Sequence, residues 1–449
     1  MSTTKAKLLL LLALIILFFG FVSLNFTPVF ANTQENIQIK FTYQENDWTY
    51  DASDFQSNNF HFQSQGQKFG RWGTPTQRAT LLKKVYNLGF TAEQTLEYGF
   101  VGIKHLIDNI KKSINKPSKD ATLKFTPNKL NKFEFTQEEI GYQLDFKPIL
   151  FQIIKKLTAS EQNLTINLQP IKLLPKVYLK DLKEYNNLKS SFYTSFNGET
   201  SNRVHNIKTA TQKFNGLILE NGKEYSFNDI TGRRNEKNGY LPAKIIVDKQ
   251  YVDGFGGGVC QVSSTLYNAL LLSGVEITEL HSHSLTSSYI NKGFDAMVNY
   301  GTSDLRWKNN TGDTLYINGY VIDNQVHFKI YGKPSKPYLT YKRVTEIEKE
   351  IEPKVDEVII DTKGEYTDLV VFEDEFAYIN YPKKGYKVRA ILEIYDGEKL
   401  IERKLLRRVT YQASTGIKVV GSKPRPAKTT QEPQGTLNKQ TYYFWQNFF

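Results

Sequence analysis

The sequence predicts a multidomain α+β protein: tandem α+β modules, then a central α+β domain, then a small all-β domain. Three observations carry this reading. Helical and strand periodicities alternate through the first 185 residues, a glycine loop runs into an apolar helix near residue 260, and only period-two strands follow residue 337. A length of 449 residues fits two to four domains, and 40 % hydrophobic with 13 % aromatic residues supports real cores.

Taken in order, Lys5 and Lys7 precede an apolar run from Leu8 to Leu24, and Val29-Phe30-Ala31 offers a small-residue cleavage site. Residues 1–31 therefore read as an export signal or an uncleaved membrane anchor, since the run approaches the roughly 18 apolar residues of a spanning helix. Either way the remainder is expected outside the cytoplasm. Residues 37–118 form the first expected module: a strand over Ile37–Tyr43, a hairpin to Trp48-Thr-Tyr50, and helical spacing from Arg78 to Ile114. Residues 119–185 repeat the order, with strands at Asp120–Phe125 and Phe133–Phe135, a helix over Phe146–Leu157 and a strand over Leu164–Leu168. The central domain, 189–332, is dense in Asn, Gly, Ser and Thr and closes with strands at Leu315–Val321 and Val326–Tyr331 about Asp323-Asn324. An all-β domain is expected over 337–421, where Val388 to Ile394 alternates and Asp396-Gly397 turns the chain. Residues 422–449 read as a polar, Pro-containing flexible tail.

The net charge of +12 has no single basic block behind it, and no basic stretch interleaves with stacking aromatics. Nucleic acid is excluded as a partner on that ground. The charge suits an anionic wall polymer or lipid headgroups, and equally a plain solvated surface. Cys260 is the only cysteine, so an exported chain has no internal disulfide and carries a free thiol.

That thiol follows four glycines in the five positions 254–258 and opens a helix read from Val262, Leu266, Ala269 and Leu270, with Gly274 as its stop. Unpaired N–H groups and the positive dipole end at a helix N-terminus favour a thiolate. A small buried packing residue fits the same place.

The surrounding motifs resemble the VanW family of Gram-positive cell envelopes, named for a vancomycin-resistance accessory protein. The matching pieces are Asn202-Arg-Val-His-Asn206, Tyr225-Ser-Phe-Asn228, Thr231-Gly-Arg233, Gly256-Gly-Gly-Val-Cys-Gln-Val-Ser-Ser-Thr-Leu266, His283-Ser284, Gly293-x-Asp295-Ala and Trp307-x-Asn-Asn-Thr311. The preceding segment is similar to the peptidoglycan-binding module that accompanies VanW, in two copies, and residues 337–421 are loosely similar to a G-five domain. The resemblance implies an envelope protein at the cell wall, partnered by peptidoglycan through its glycan or stem peptide. It implies no resistance phenotype.

Four chemistries remain open from the residues. In a Cys-His-Asp site, Cys260 attacks a carbonyl, His283 takes its proton and Asp295 orients the imidazole, the chain order of transglutaminase-like and papain-like folds. Gly256, Gly257, Gly258 and Gln261 would shape an oxyanion site, with Asp304 in reserve for Asp295. The substrate would be a wall peptide amide, for hydrolysis or acyl transfer, with no cofactor or metal. In the non-catalytic alternative Cys260 is a packing residue of a peptidoglycan-binding scaffold. Ser263 and Ser264 then bond to the first helical turn, and Arg203, Asn206, Asn228, Arg233 and Asp253 tie loops together or bind substrate. A third reading uses His281, His283 and Cys260 as metal ligands; the fourth makes Ser263 or Ser264 the nucleophile.

Overall fold

A computed structural model describes residues 37–51, 74–100, 102–196, 200–247, 250–334 and 338–426. The expected export segment and the end of the expected tail lie outside them. Among the described residues no helix is long and apolar enough to cross a membrane. Two compact units are present, residues 123–135 and 180 onward belonging to the second.

In the first unit, β1 (Gln38–Tyr43) pairs antiparallel with β2 (Asn46–Asp51). The predicted helical stretch resolves into α1 (Pro75–Asn87), α2 (Ala92–Gly99) and α3 (Ile103–Ile114). The breaks have local causes. Gly89 takes φ +94° after α1, and Thr91 starts α2 through a reciprocal capping box with Gln94. After β3 (Thr122–Phe125) and β4 (Phe133–Thr136), which belong to the second unit, come β5 (Gly141–Gln143), α4 (Phe146–Thr158), β6 (Asn163–Asn167) and β7 (Ile171–Leu173) of the first, and then α5 (Leu179–Lys183) at the boundary. β6 pairs parallel to β1, and one apolar core draws on Ile39 and Phe41 together with Leu150, Ile153 and Ile166. The two expected modules thus share one sheet and one core.

The second unit opens with β8 (Leu188–Ser195), followed by α6 (Ser201–Gln212), β9 (Ile218–Leu219), β10 (Glu224–Ser226), α7 (Phe227–Thr231), β11 (Pro242–Val247) and β12 (Gln250–Phe255). Then come α8 (Val259–Leu272), β13 (Glu276–Glu279), β14 (Arg306–Lys308), β15 (Leu315–Ile322) and β16 (Gln325–Tyr331). A four-stranded antiparallel sheet runs β8-β16-β15-β9, so β8 is an edge. Asp323 and Asn324 both adopt left-handed φ, 48° and 55°, as a tight two-residue hairpin turn requires. Helix α8 is buried around most of its circumference; Val262, Leu266, Ala269 and Leu270 join Phe214, Phe294, Trp307 and Phe328 in one core. Such a helix is fixed by its surroundings on every side.

The expected all-β segment comprises β17 (Leu339–Ile351), β18 (Glu357–Ile360), β19 (Phe376–Asn380), β20 (Gly385–Asp396), β21 (Lys399–Tyr411) and β22 (Ile417–Val420). They form two three-stranded sheets, β17-β20-β21 and β18-β22-β19. Ala390 and Leu392 of β20 enter the same core as α8, so this segment packs on the central domain. The start of the expected tail is held rather than loose: Ser422 Oγ donates to Asp361 O at 2.7 Å and Arg425 pairs with Asp374 at 2.8 Å.

Candidate active site

The site begins with the loop before α8. Gly256 and Gly258 take φ +88° and +100°, which L side chains rarely adopt. Space excludes a side chain as well: a Cβ on Gly256 would meet Arg234 Cγ at 2.6 Å, and one on Gly258 would meet Ile207 Cγ1 at 2.8 Å. Gly257 is anchored through its carbonyl, which accepts from Asn206 Nδ2 at 3.2 Å. The loop delivers Cys260 as the second residue of α8, in the turn whose N–H groups lack intrahelical acceptors. Its side chain is only partly buried.

His283 and Asp295 converge on it. His283 Nδ1 lies 2.7 Å from Asp295 Oδ2, and the His283 backbone N–H donates to the same oxygen at 2.7 Å. With Nδ1 taken, Nε2 is the His283 ring nitrogen left to act on Cys260. Burial pushes the Cys260 thiol up, but the hydrogen bond and charge of His283, with the Arg234 charge, pull it below its ordinary value. The sulfur also lies 3.5 Å from Val298 O, a bond only the protonated thiol can donate. For His283, burial opposes the charge, yet Tyr289 and the bonds to Asp295 and Cys260 carry the imidazole well above its ordinary value.

Asp295 is itself held by the neighbouring β segment. Its Oδ1 accepts from the Tyr411 hydroxyl at 2.5 Å and from Arg407 Nη2 at 3.2 Å, while Arg407 Nη2 also donates to the Asp295 carbonyl. Tyr411 OH further accepts from Gly293 N at 2.7 Å, and Arg407 Nε donates to Gly293 O at 2.9 Å. Burial tends to raise the carboxyl; His283, Arg407 and Tyr411 overcome it and leave Asp295 below its ordinary value. Both carboxylate oxygens are thus engaged, which fixes the plane that faces His283.

The helix fixes the same segment from the other side. Ser264 Oγ donates to Cys260 O at 2.7 Å and accepts from Ala296 N at 2.9 Å; Ser263 Oγ reaches Ala296 O at 2.6 Å. Asn268 Nδ2 bonds Phe294 O at 2.8 Å. Ser263 and Ser264, fully buried and bonded to backbone, are therefore fasteners that set Asp295 opposite His283, and neither is placed as a nucleophile.

Other expectations need correcting. Gln261 is not available to an oxyanion: its Nε2 donates to Thr194 Oγ1 at 3.0 Å and Ser195 O at 2.9 Å, while its Oε1 accepts from Arg203 Nη2 at 3.0 Å. Asp304 is no substitute for Asp295. It accepts from Ser226 Oγ, from Asn228 N at 2.9 Å and from Leu305 N at 2.8 Å, pinning the start of α7. Asn206 bridges Leu241 and Gly257. Asn228 Nδ2 holds Ser303 O at 2.9 Å, and Arg233 stacks over Tyr300. Asp253 sits on β12 opposite Lys244, with its side chain outside the described ones. His281 turns to Glu279, 2.9 Å away, and not to Cys260; no cluster of three metal-binding side chains converges among the described residues. Unlike a papain-like sheet, His283 follows β13 by four residues and lies outside any strand, steadied by the single bridge His281–Met297.

Reading the sequence missed Arg234, Tyr289, Arg407 and Tyr411. Arg234 is one residue beyond the motif residue Arg233, and periodicity cannot say which of two adjacent arginines turns toward the thiol. Tyr411 stands 116 residues from Asp295 in what reads as another domain, and nothing local announces the bond.

The class defined by this fold and site is a multidomain protein whose central domain sets a cysteine, a histidine and an aspartate together at a helix N-terminus. Residues 202–331 match the family model "VanW like protein", and residues 39–165 match that described as "Putative peptidoglycan binding domain". The central domain is thus similar to the VanW family over residues 202–331. It is 36 % identical over 126 residues to "Uncharacterized protein YoaR" of Bacillus subtilis (strain 168), covering 28 % of this chain and 42 % of that protein. It is 26 % identical over 146 residues to "Vancomycin B-type resistance protein VanW" of Enterococcus faecalis (strain ATCC 700802 / V583), covering 31 % of this chain and 53 % of the relative. The chain thus spans about half the length of these relatives. Among solved structures, "IgA1 Protease G5 domain structure" covers 19 % of this chain and 90 % of its own at 20 % identity, TM-score 0.13. "Crystal structure of HP0197-G5" covers 18 % and 97 % at 19 % identity, TM-score 0.10. Likenesses at these scores carry no argument about the β segment.

Proposed function

We propose that this is a cell-wall protein that works outside the cytoplasm and uses Cys260 for hydrolysis or acyl transfer at wall peptide amide bonds. The observation that carries the reading is the set Asp295, His283 and Cys260, in which an aspartate bonded at both oxygens holds an imidazole that lowers the thiol of a partly buried cysteine.

The chemistry runs in two halves. The Cys260 thiolate attacks the carbonyl carbon, and the oxyanion gathers at the Cys260 N–H, since the N–H groups of Gly256, Val259 and Gln261 already donate to Leu241, Gly256 and Gly258 carbonyls. As the C–N bond breaks, imidazolium Nε2–H gives its proton to the leaving amine, and a thioester remains on Cys260. Water or a second amine then attacks the thioester carbonyl, losing its proton to Nε2, and the thiolate leaves with its charge restored. Asp295 stays ionised throughout and keeps Nδ1 protonated, so that Nε2 is always the nitrogen that exchanges protons. The segment matching a peptidoglycan-binding family raises the local concentration of wall around this centre.

One observation favours a scaffold reading instead: Cys260 also packs against the apolar core of the central domain. The two are separated by incubating purified peptidoglycan with the full chain and its Cys260→Ala variant and reading products by mass spectrometry. A new muropeptide or cross-link made only by the unmodified chain supports the enzyme. Identical profiles from both, with retained sedimentation on the wall, support the scaffold.

A further inference from the structure

A slot of about 480 Å³ is lined by residues 191–195 of β8, by residues 288–291 and by Arg343. Side chains of a strand alternate between its faces, so five consecutive strand residues can line one space only if that space lies along the strand's hydrogen-bonding edge. β8 is the terminal strand of its sheet, and its pairings given by the register are all to β16. The opposite wall is also a run of consecutive residues. The space therefore has the shape of a missing strand.

The two ends of the slot differ chemically. At the Ser195 end the edge carbonyl is already used, by Gln261 Nε2 at 2.9 Å, which brings the sequence neighbour of Cys260 to that end and leaves the strand edge from Ser191 to Thr194 for pairing. Tyr289, in the facing wall, interacts electrostatically with both His283 and Cys260. At the Phe192 end stands Arg343, its guanidinium carbon 4.3 Å from the Phe192 ring centroid and 5.0 Å from that of Phe294. Its Nη1 donates to Asn268 Oδ1 at 2.6 Å, and among the described residues the other guanidinium nitrogens make no hydrogen bond. Burial lowers Arg343 to about 10, which leaves it a cation at neutral pH. Three residue steps along the strand, Phe192 to Ser195, separate the two ends, about 10 Å at the rise of an extended chain.

We propose that this slot takes an acidic peptide as an added strand on β8, with a carboxylate against Arg343 two to three residues from the carbonyl presented to Cys260. This rests on the cysteine-enzyme reading for its orientation, and it supplies what that reading lacks, a substrate class. The planar guanidinium offers a paired-donor edge that a carboxylate fits and an amide does not.

The test uses the full-length Cys260→Ala chain and stem peptides released from purified peptidoglycan, either native or with their carboxylates amidated, measured by calorimetry. Native peptides are expected to bind about tenfold or more tightly than amidated ones, and Arg343→Met should erase that difference while Arg343→Lys restores part of it. Ser288 is exposed, so Ser288→Trp should fill the slot without disturbing the core and abolish binding of both peptides. Equal affinity for native and amidated peptides, or unchanged binding by the Ser288→Trp chain, would overturn the proposal. The pH midpoint of Cys260 alkylation by iodoacetamide, measured with Cys260 restored, does not depend on the slot. If that midpoint is ordinary while binding stays carboxylate-dependent, the slot stands and the enzyme reading falls.

Discussion

Two histidine–carboxylate pairs lie two residues apart on one segment, and they behave as opposites. His283 and Asp295 meet at 2.7 Å with side chains 11 % and 2 % exposed; His281 and Glu279 meet at 2.9 Å with 40 % and 38 % exposed. Distance hardly separates them. Burial and the shell around the carboxylate do. Asp295 is gripped by Tyr411 and Arg407, and the backbone on either side of it by Ser264 and Asn268, whereas Glu279 accepts one further bond, from Asp304 N at 3.0 Å, and is otherwise open to water. An exposed pair of this kind is screened and contributes little. A buried carboxylate with both oxygens engaged can hold an imidazole in one orientation through a reaction cycle.

The comparison can be broken most severely at Asp295. Asp295→Asn should lower turnover on peptidoglycan on the order of a thousandfold, because the amide cannot hold the imidazolium or enforce the Nδ1–H tautomer. Mass spectrometry of timed digests measures this. Next come the residues that act through Asp295. Tyr411→Phe removes one hydroxyl and keeps the ring, and should cut turnover about tenfold with KM nearly unchanged and the Cys260 alkylation midpoint moved upward. An unmoved midpoint would reduce Tyr411 to a packing residue.

Asp304→Asn probes the other buried aspartate. It should cost about 1–3 kcal/mol of stability in chemical denaturation, since donors from Ser226, Asn228 and Leu305 lose a charged acceptor, and should leave the thiol midpoint alone. His281→Gln should change either readout least, by under about 0.5 kcal/mol in stability.

Acidity sharpens the same contrast. Asp295 has its folded pKa below the ordinary carboxyl value of 3.8, so its stabilising contribution is complete above that value and is lost as pH falls through the depressed one. His283 has the opposite sign: its folded value is raised, so its contribution is complete below the ordinary 6.5 and is lost as pH rises through the raised one. Thermal melts of Asp295→Asn and the unmodified chain should accordingly converge on acidification.

Much of this was legible in the chain. The glycine loop before Cys260, the helix from Val262 to Leu270, the Asp323-Asn324 hairpin and the long strands about Asp396-Gly397 follow from local periodicity and turn chemistry, and each is present. The residues Cys260, His283 and Asp295 were legible as a set. What was not legible is non-local. The edge of β8 becomes a slot only once residues 288–291 and Arg343 come beside it, and Gln261 reads as a free amide until Thr194, Ser195 and Arg203 use all of its bonding groups. The shared core of residues 37–168 escaped for a similar reason, because a parallel pairing between β1 and β6 leaves no turn signal.

The most direct measurement is the rate of Cys260 alkylation by iodoacetamide against pH, in the unmodified chain and in His283→Gln. With a single cysteine in the sequence, labelling reports one thiol. The account predicts a midpoint below the ordinary thiol value of 9.0 that rises when His283 is replaced. A midpoint at or above 9.0, or one indifferent to His283→Gln, would contradict it.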